Sequence, residues 1–222
     1  MTEKMALIVG ATGLVGKELI TILLNQKEYK KVTALVRKPL GFTHPKLEEK
    51  IIDFDQLDEF VIPFRVDDVF SCLGTTIKKA KSQETMYKID VTYSLAIAKL
   101  TKKVGAKQFL FISSPYANSK SSVFYTRMKG KLEEEVRKID FDSISIFRPS
   151  LLLGKRQEFR LGEKMAEGVF SALSFLFIGP VKKFKGIQGK TVANAMFKAA
   201  QMNQGGVTIY SSDQIEELGK GV

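Results

Sequence analysis

Apolar residues open the chain in short unbroken runs, and each run gives way to a stretch where they recur every three or four positions. Met5-Ala6-Leu7-Ile8-Val9 is the first run, the pattern of a strand buried on both faces. Gly10 ends it. Beyond Leu14 the spacing turns helical, with Val15, Leu19, Ile22 and Leu23 on one face. Further strands are predicted at Val32–Val36, more weakly at Lys50–Phe54, and at Val66–Leu73, which runs out through Cys72-Leu73-Gly74-Thr75-Thr76. Ser82–Lys103 predicts a long helix with Ile89, Tyr93, Ala96 and Leu100 on one face. Gln108–Ile112 is a fifth strand, stopped by Ser113-Ser114-Pro115. Tyr125–Lys138 is a helix rich in Glu and Lys, and Ser143–Phe147 is a sixth strand, stopped by Arg148-Pro149.

Strand and helix alternate through six strands by residue 148. Right-handed crossovers then build an α/β architecture, a Rossmann-like doubly wound parallel sheet with helices on both faces. Residues 1–149 form this core. Residues 150–222 lose the rhythm and are expected to be a C-terminal cap on the substrate side, packed on the core within one domain, with two or three helices and a strand at Val207–Tyr210. The apolar stretch 169–178 is too short to span a membrane, which takes about 20 residues; a lid helix is the expectation there, and membrane contact the lesser one.

In such sheets ligands bind beyond the carboxyl ends of the strands, at the point where strand order reverses. The first such place holds Gly10-Ala11-Thr12-Gly13-Leu14-Val15-Gly16, between the opening strand and helix. Gly10 permits a tight turn, Gly13 a close approach by a pyrophosphate, and Gly16 close packing of helix on strand. Backbone N–H groups from Thr12 to Gly16 then meet phosphate at the helix start. At the end of the second strand an NAD-binding chain places a carboxylate on the ribose. Here Arg37 and Lys38 stand instead, so NADP(H) is preferred over NAD(H) through its 2′-phosphate. Asp53 is placed to meet the adenine amino group, and Leu73 and Gly74 to pass near the adenosine ribose.

Chemistry is expected from Tyr125 and Lys129, one turn apart on a helix, where an ammonium lowers the phenol pKa and the phenol exchanges a proton with a substrate oxygen. A hydroxyl from Ser113 or Ser114 could hydrogen-bond a carbonyl as charge develops on it. The rest of the composition narrows the field. A single Cys (Cys72) excludes an intramolecular disulfide framework, and a single His (His44), in a turn-like Gly-Phe-Thr-His-Pro setting, argues against zinc and against a Ser-His-Asp hydrolase. The net charge of +11 suits an anionic partner or a solvated basic surface. Its lysines are scattered in pairs, and no nucleic-acid module is evident. With no leader visible at the amino end, a cytoplasmic setting is expected.

The order Gly10-x-x-Gly13-x-x-Gly16, Ser113-Ser114, Tyr125-x-x-x-Lys129 resembles the extended or atypical short-chain dehydrogenase/reductase superfamily. Cys72-Leu-Gly-Thr-Thr76, Ile89-Asp-Val-Thr-Tyr93, Met128-Lys-Gly-Lys-Leu-Glu133 and Phe147-Arg-Pro…Lys-Arg-Gln157 are similar to its Tat-interacting-protein-like NADPH-binding oxidoreductases. The resemblance implies Tyr125 as acid/base, Lys129 on the nicotinamide ribose, Arg37 on the 2′-phosphate, Leu73 and Gly74 against the cofactor, and Arg160 as a further cofactor contact. It also implies two departures. Asp90 stands where many relatives carry an Asn that supports a proton relay, and Pro115 stands where many carry the catalytic Ser or Thr. Three functions follow: an NADP(H)-dependent oxidoreductase acting on a small carbonyl or alcohol, an NADPH-binding regulator of a protein partner, and a nucleotide-sugar epimerase or dehydratase. The oligomeric state stays open, and the resemblance implies a homodimer only in that helices flanking the sheet often build dimers in this superfamily.

Overall fold

The computed structural model describes residues 3–153 and 186–220. Among these, seven parallel strands form one sheet in the order β3-β2-β1-β4-β5-β6-β9. They are β1 (Lys4–Val9), β2 (Tyr29–Val36), β3 (Leu47–Ile51), β4 (Asp68–Ser71), β5 (Gln108–Ile112), β6 (Ser143–Arg148) and β9 (Gly206–Ser211). A small parallel pair joins β7 (Leu152–Leu153) to β8 (Ile187–Gln188). The helices are α1 (Leu14–Asn25), α2 (Ile77–Ala80), α3 (Gln83–Tyr87), α4 (Tyr93–Lys103), α5 (Phe124–Arg137), α6 (Gly189–Met202) and α7 (Ser212–Gly219).

The side-chain alternation of β1 divides the core in two. Ala6 and Ile8 face α1 and α6, packing with Leu19, Leu23, Val192 and Met196. Leu7 and Val9 face α4 and α5, packing with Ile97, Phe109, Leu132 and Val136. An unbroken apolar run is what a strand covered on both faces requires. The third strand sits at Leu47–Ile51, earlier than the predicted 50–54, because it pairs in register with Val32–Val36 at the sheet edge and exposes Ile51. Residues 186–220 contribute β9 to the same sheet, beside β6, and α6 packs along α1. The apolar stretch 169–178 and Arg160 lie outside the described residues.

The predicted helix over 82–103 is helical but not uniform. Ser82 caps it by accepting the Thr85 N–H at 3.0 Å, and a π-helical turn at Lys88–Thr92 separates α3 from α4. The deeply buried face is Asp90, Val91, Ser94, Ile97, Ala98 and Thr101. Ile89, Tyr93, Ala96 and Leu100, expected to form that face, lie along its half-buried flank. The expectation counted only apolar residues, whereas Thr101 satisfies its hydroxyl on the Ile97 carbonyl at 2.7 Å and Ser94 reaches Ser71 at 3.3 Å, so both go inward. His44 lies in a turn, its Nδ1 accepting the Lys46 N–H at 3.1 Å.

The amino end of the sheet is sealed by a polar knot. Buried Asp68 accepts from Tyr29 Oη at 2.7 Å, Lys4 Nζ at 3.1 Å and Gln108 Nε2 at 3.0 Å, and Gln108 also reaches the Ala200 carbonyl of α6 at 3.0 Å. Burial raises the Tyr29 phenol well above its ordinary value, and the adjacent Asp68 adds to it. The carboxyl ends of the strands lie at the opposite end of the sheet.

At that end α1 meets the sheet backbone to backbone. A Cβ on Gly16 would lie 2.1 Å from the Gly10 carbonyl oxygen, far inside van der Waals contact. Gly16→Ala is therefore expected to destabilise the protein by about 1–3 kcal/mol as an overpacking change. Urea unfolding checks this; an unchanged midpoint would show that helix and turn can separate at no cost.

Candidate functional site

Gly10 sits at the mouth of the sheet with φ +77°, and a Cβ there would lie 2.5 Å from the Cys72 carbonyl. The turn after β1 thus rests against the exit of β4. Strand order reverses between these two strands, with β2 and β3 on one side and β5, β6 and β9 on the other. The Gly13 N–H closes the turn on Gly10 O at 2.9 Å. Helix α1 begins without a side-chain cap and with no acidic residue in its first turn. Thr12 and Gly13 are exposed and Leu14 is half-buried, while Val15 and Gly16 are buried against the sheet. The helix start thus has no side-chain cap among the described residues, and helix dipole and first-turn amides together favour an anion there.

The other predicted cofactor residues surround this mouth. Arg37 and Lys38 are exposed directly after β2, and no ion pair joins either to another described residue. Asp53 is exposed after β3, where one carboxylate oxygen accepts the Asp55 N–H at 2.9 Å and caps a short helical turn. Leu73 is half-buried and Gly74 exposed in the loop after β4.

Helix α5 carries the second half of the site. Its buried apolar stripe of Met128, Leu132 and Val136 fixes which side faces the sheet. A polar stripe, Tyr125, Lys129 and Glu133, runs beside it at four-residue spacing. Tyr125 is 36% exposed, whereas Lys129 and Glu133 are buried. Lys129 Nζ lies 2.7 Å from Asp90 Oδ1, with 3% and 1% of these side chains exposed. The other Asp90 oxygen accepts the Thr75 N–H at 2.9 Å. Burial alone would lower the Lys129 pKa, but Asp90 beside it, helped by Tyr125 and Glu133, holds it above the ordinary value. Around the Tyr125 phenol, burial raises the pKa, Lys129 opposes it and Asp90 adds to it, leaving it raised. The expected lowering by Lys129 is thus outweighed.

The two serines separate. Ser113 Oγ donates to Glu133 Oε1 at 2.5 Å, and Arg148 grips the same carboxylate at 2.9 and 2.6 Å. Ser114 is buried, and among the described residues its hydroxyl has no hydrogen-bond partner. Pro115 is half-buried behind it, and Tyr116 turns the chain with φ +59°. The loop then folds over α5 at Gly130, where a Cβ would lie 2.1 Å from Ser119 N. Glu133 and Arg148 were not among the expected site residues. The four-residue spacing from Tyr125 through Lys129 to Glu133 was the signal that could have found Glu133; its partner on β6 had none.

These residues fit a dinucleotide: a turn that excludes any β-carbon, uncapped amides at a helix start, two exposed cations after β2, and an orphaned buried hydroxyl facing the same end of the sheet. Strand order, turn and helix together define the class, an NAD(P)-binding Rossmann fold of the extended short-chain dehydrogenase/reductase superfamily. The chain belongs to the NAD dependent epimerase/dehydratase family, whose profile matches residues 6–212. It is 39% identical over 177 residues to Protein HTATIP2 of Rattus norvegicus, covering 78% of this chain and 73% of that one. This agrees with the resemblance to Tat-interacting-protein-like members. It is 31% identical to Protein FMP52-2, mitochondrial, of Scheffersomyces stipitis, with 97% of each chain covered. Among solved structures, the Bordetella bronchiseptica enzyme WbmH in complex with NAD+ superposes with a TM-score of 0.68 at 18% identity, over 97% of this chain and 79% of that one. The oxidoreductase ylbE of Lactococcus lactis gives 0.63 at 16% identity over 96% of each. These last two share the fold.

The cytoplasmic setting expected from the sequence is overturned by the fungal relatives, which are named mitochondrial. A run of apolar residues long enough to be read as a leader was the criterion, and that criterion does not report the compartment. No helix among the described residues is long and apolar enough to cross a membrane.

Glu133 is 4% and Arg148 26% exposed, so their coupling is only partly screened. A double-mutant cycle with Glu133→Gln and Arg148→Met is expected to give a coupling of about 1–2 kcal/mol in unfolding free energy. Additive single effects would remove Glu133 as the anchor of the Ser113 loop.

Proposed function

We propose that the protein is an NADP(H)-dependent oxidoreductase that interconverts a small carbonyl compound and its alcohol, with Tyr125 as acid/base. The observation that carries this reading is the pairing on α5 of Tyr125, a residue 36% exposed, with a buried Lys129 ammonium one turn further on. A bound nicotinamide supplies or takes the hydride at the carbonyl carbon. The chain's own residues do the rest. Amides from Thr12 to Gly16 take the pyrophosphate. Arg37 and Lys38 take the 2′-phosphate, where a guanidinium pairs in bidentate fashion. Asp53, Leu73 and Gly74 border the adenosine. Lys129 has further N–H donors beyond the one on Asp90 and turns them to the nicotinamide ribose.

Ser114 is the residue assigned to the substrate carbonyl. Its hydroxyl is free to donate, whereas the Ser113 hydroxyl is committed to Glu133. A buried hydroxyl without a partner costs about 1–3 kcal/mol, and a substrate oxygen that relieves it gains specificity from the same source. The family description also supports a second reading, epimerase or dehydratase chemistry on a sugar nucleotide with the same Tyr/Lys pair. The naming of the fungal relatives supports a mitochondrial setting.

Thermal stabilisation by NADPH is expected to exceed that by NADH, and Arg37→Ala with Lys38→Ala should remove the difference, costing NADPH about tenfold in affinity. Equal stabilisation of the unaltered protein by both cofactors would exclude the 2′-phosphate assignment. Tyr125→Phe is expected to lower carbonyl turnover about 10²–10⁴-fold while NADPH binding survives. If no carbonyl is reduced but a UDP-sugar is epimerised, the second reading replaces the first.

A further inference from the structure

The carboxylates of α5 are all committed. Glu133 is gripped by Arg148, Glu134 accepts from the Ser119 hydroxyl, and Glu135 pairs with Lys138. Arg127 and Lys131, one turn apart on the same helix, are joined to no carboxylate among the described residues. Arg127 is half-buried. Its Nη1 donates to the Ser121 and Ser122 carbonyls, each at 2.7 Å. That nitrogen has two N–H bonds and both are used, so the guanidinium is pinned at one corner. The Nε–Nη2 edge, which can meet a carboxylate with two parallel hydrogen bonds, has no partner among the described residues.

Both cations line a pocket of about 290 Å³ between α3 and α5, together with Gln83, Tyr87, Phe124 and Met128. No carboxylate is among its lining residues. Tyr87 and Phe124 each pack on the core, and neither ring meets another aromatic among the described residues. The pocket stands apart from the tyrosine stripe. At about 3.6 residues per turn, Phe124, Arg127 and Lys131 fall on one flank of the buried Met128–Leu132 line, and Tyr125, Lys129 and Glu133 fall on the other.

We infer that this pocket is a binding site for a small aromatic carboxylate, with the Nε–Nη2 edge of Arg127 on the carboxylate, Lys131 as a second cation, and the ring beside Tyr87 and Phe124. A partly desolvated cation without a counter-ion gains from an incoming anion. A bare anion would leave the two rings and Met128 without a partner, and a neutral ring would leave the cations without one. The volume equals about ten waters of the liquid, room for one ring with its carboxylate. A guanidinium matches that planar acid in shape as well as in charge. Such binding needs neither the cofactor nor the acid/base role of Tyr125.

Benzoate is the probe, titrated by calorimetry into the full chain without cofactor at low salt. A Kd of about 0.1–1 mM is expected, and saturating NADPH should leave it unchanged. Benzyl alcohol, a ring without charge, and acetate, a charge without a ring, should each bind about tenfold more weakly or worse. Arg127→Met is expected to weaken benzoate about tenfold, Arg127→Lys nearly as much because the fork is lost while the charge stays, and Lys131→Ala about threefold. Lys30→Met removes the same charge from an exposed position on β2 and should change nothing. Absence of saturable benzoate binding overturns the inference. So does acetate binding as tightly as benzoate, or a loss in Lys30→Met equal to that in Arg127→Met, since either marks a general attraction to a basic surface. Displacement by NADPH overturns it too, because the ligand would then lie in the cofactor cleft. The probe comparison needs only the unaltered protein, so an Arg127 variant that fails to fold leaves the test decisive.

Discussion

At the mouth of the sheet three stretches of backbone touch with no side chain between them. The Gly10 α-carbon faces the Cys72 carbonyl, and the Gly16 α-carbon faces the Gly10 carbonyl, both too close for any β-carbon. Much of the site follows from this contact. The exit of β4 is drawn against the turn after β1, which brings Leu73, Gly74 and Thr75 to the cleft. The Thr75 N–H then holds Asp90, and Asp90 holds Lys129. A continuous run of contacts thus joins the glycine turn, where phosphate is expected, to the tyrosine helix, where proton transfer is expected. The first amides of α1 are left uncapped because the N-cap residue, Gly13, has no side chain to accept from them.

Helix α5 shows how an interior can hold several charges. Each buried ion on its polar stripe has an opposite partner supplied by a different element. Asp90 from the π turn answers Lys129, and Arg148 from β6 answers Glu133. Neither pair is an argument for stability, since desolvation offsets most of the attraction between buried ions. Their effect is on placement. Glu133 and Arg148 fix Ser113, and through it the start of the loop whose next residue is Ser114. Asp90 fixes Lys129, and through it the charge near Tyr125. Helix α5 therefore positions the hydroxyl group and the phenol from one rigid support.

The sheet was legible from hydrophobic runs because a strand covered on both faces has few alternatives to an unbroken apolar sequence. The glycine turn was legible for a steric reason, since few other residues tolerate such contacts. Edge strand β3 was less so. Leu47-Glu48-Glu49-Lys50-Ile51 is mostly polar, and its position is set by pairing with β2 rather than by its own composition. The inward face of the π turn and α4 was misread because Asp90, Ser94 and Thr101 are polar, and their burial depends on partners far away in sequence. The division of labour between Ser113 and Ser114 was not legible at all. It depends on Glu133 and Arg148, 20 and 35 positions beyond Ser113, converging on one hydroxyl.

Two departures from the pattern of relatives weighed in the sequence toward a protein that binds cofactor without turning it over. Each has a physical counterpart in the fold that shifts the weight. Asp90 in place of Asn does not leave a gap beside α5, because its carboxylate is engaged on both oxygens and its charge is matched by Lys129. Pro115 carries no hydroxyl, but the residue before it does, and Ser114 has made no bond that would remove it from use. Proline fixes the backbone at its own position and restricts the residue before it to an extended shape. The Ser114 backbone is thereby held on a loop anchored by Ser113, while its hydroxyl has no partner among the described residues.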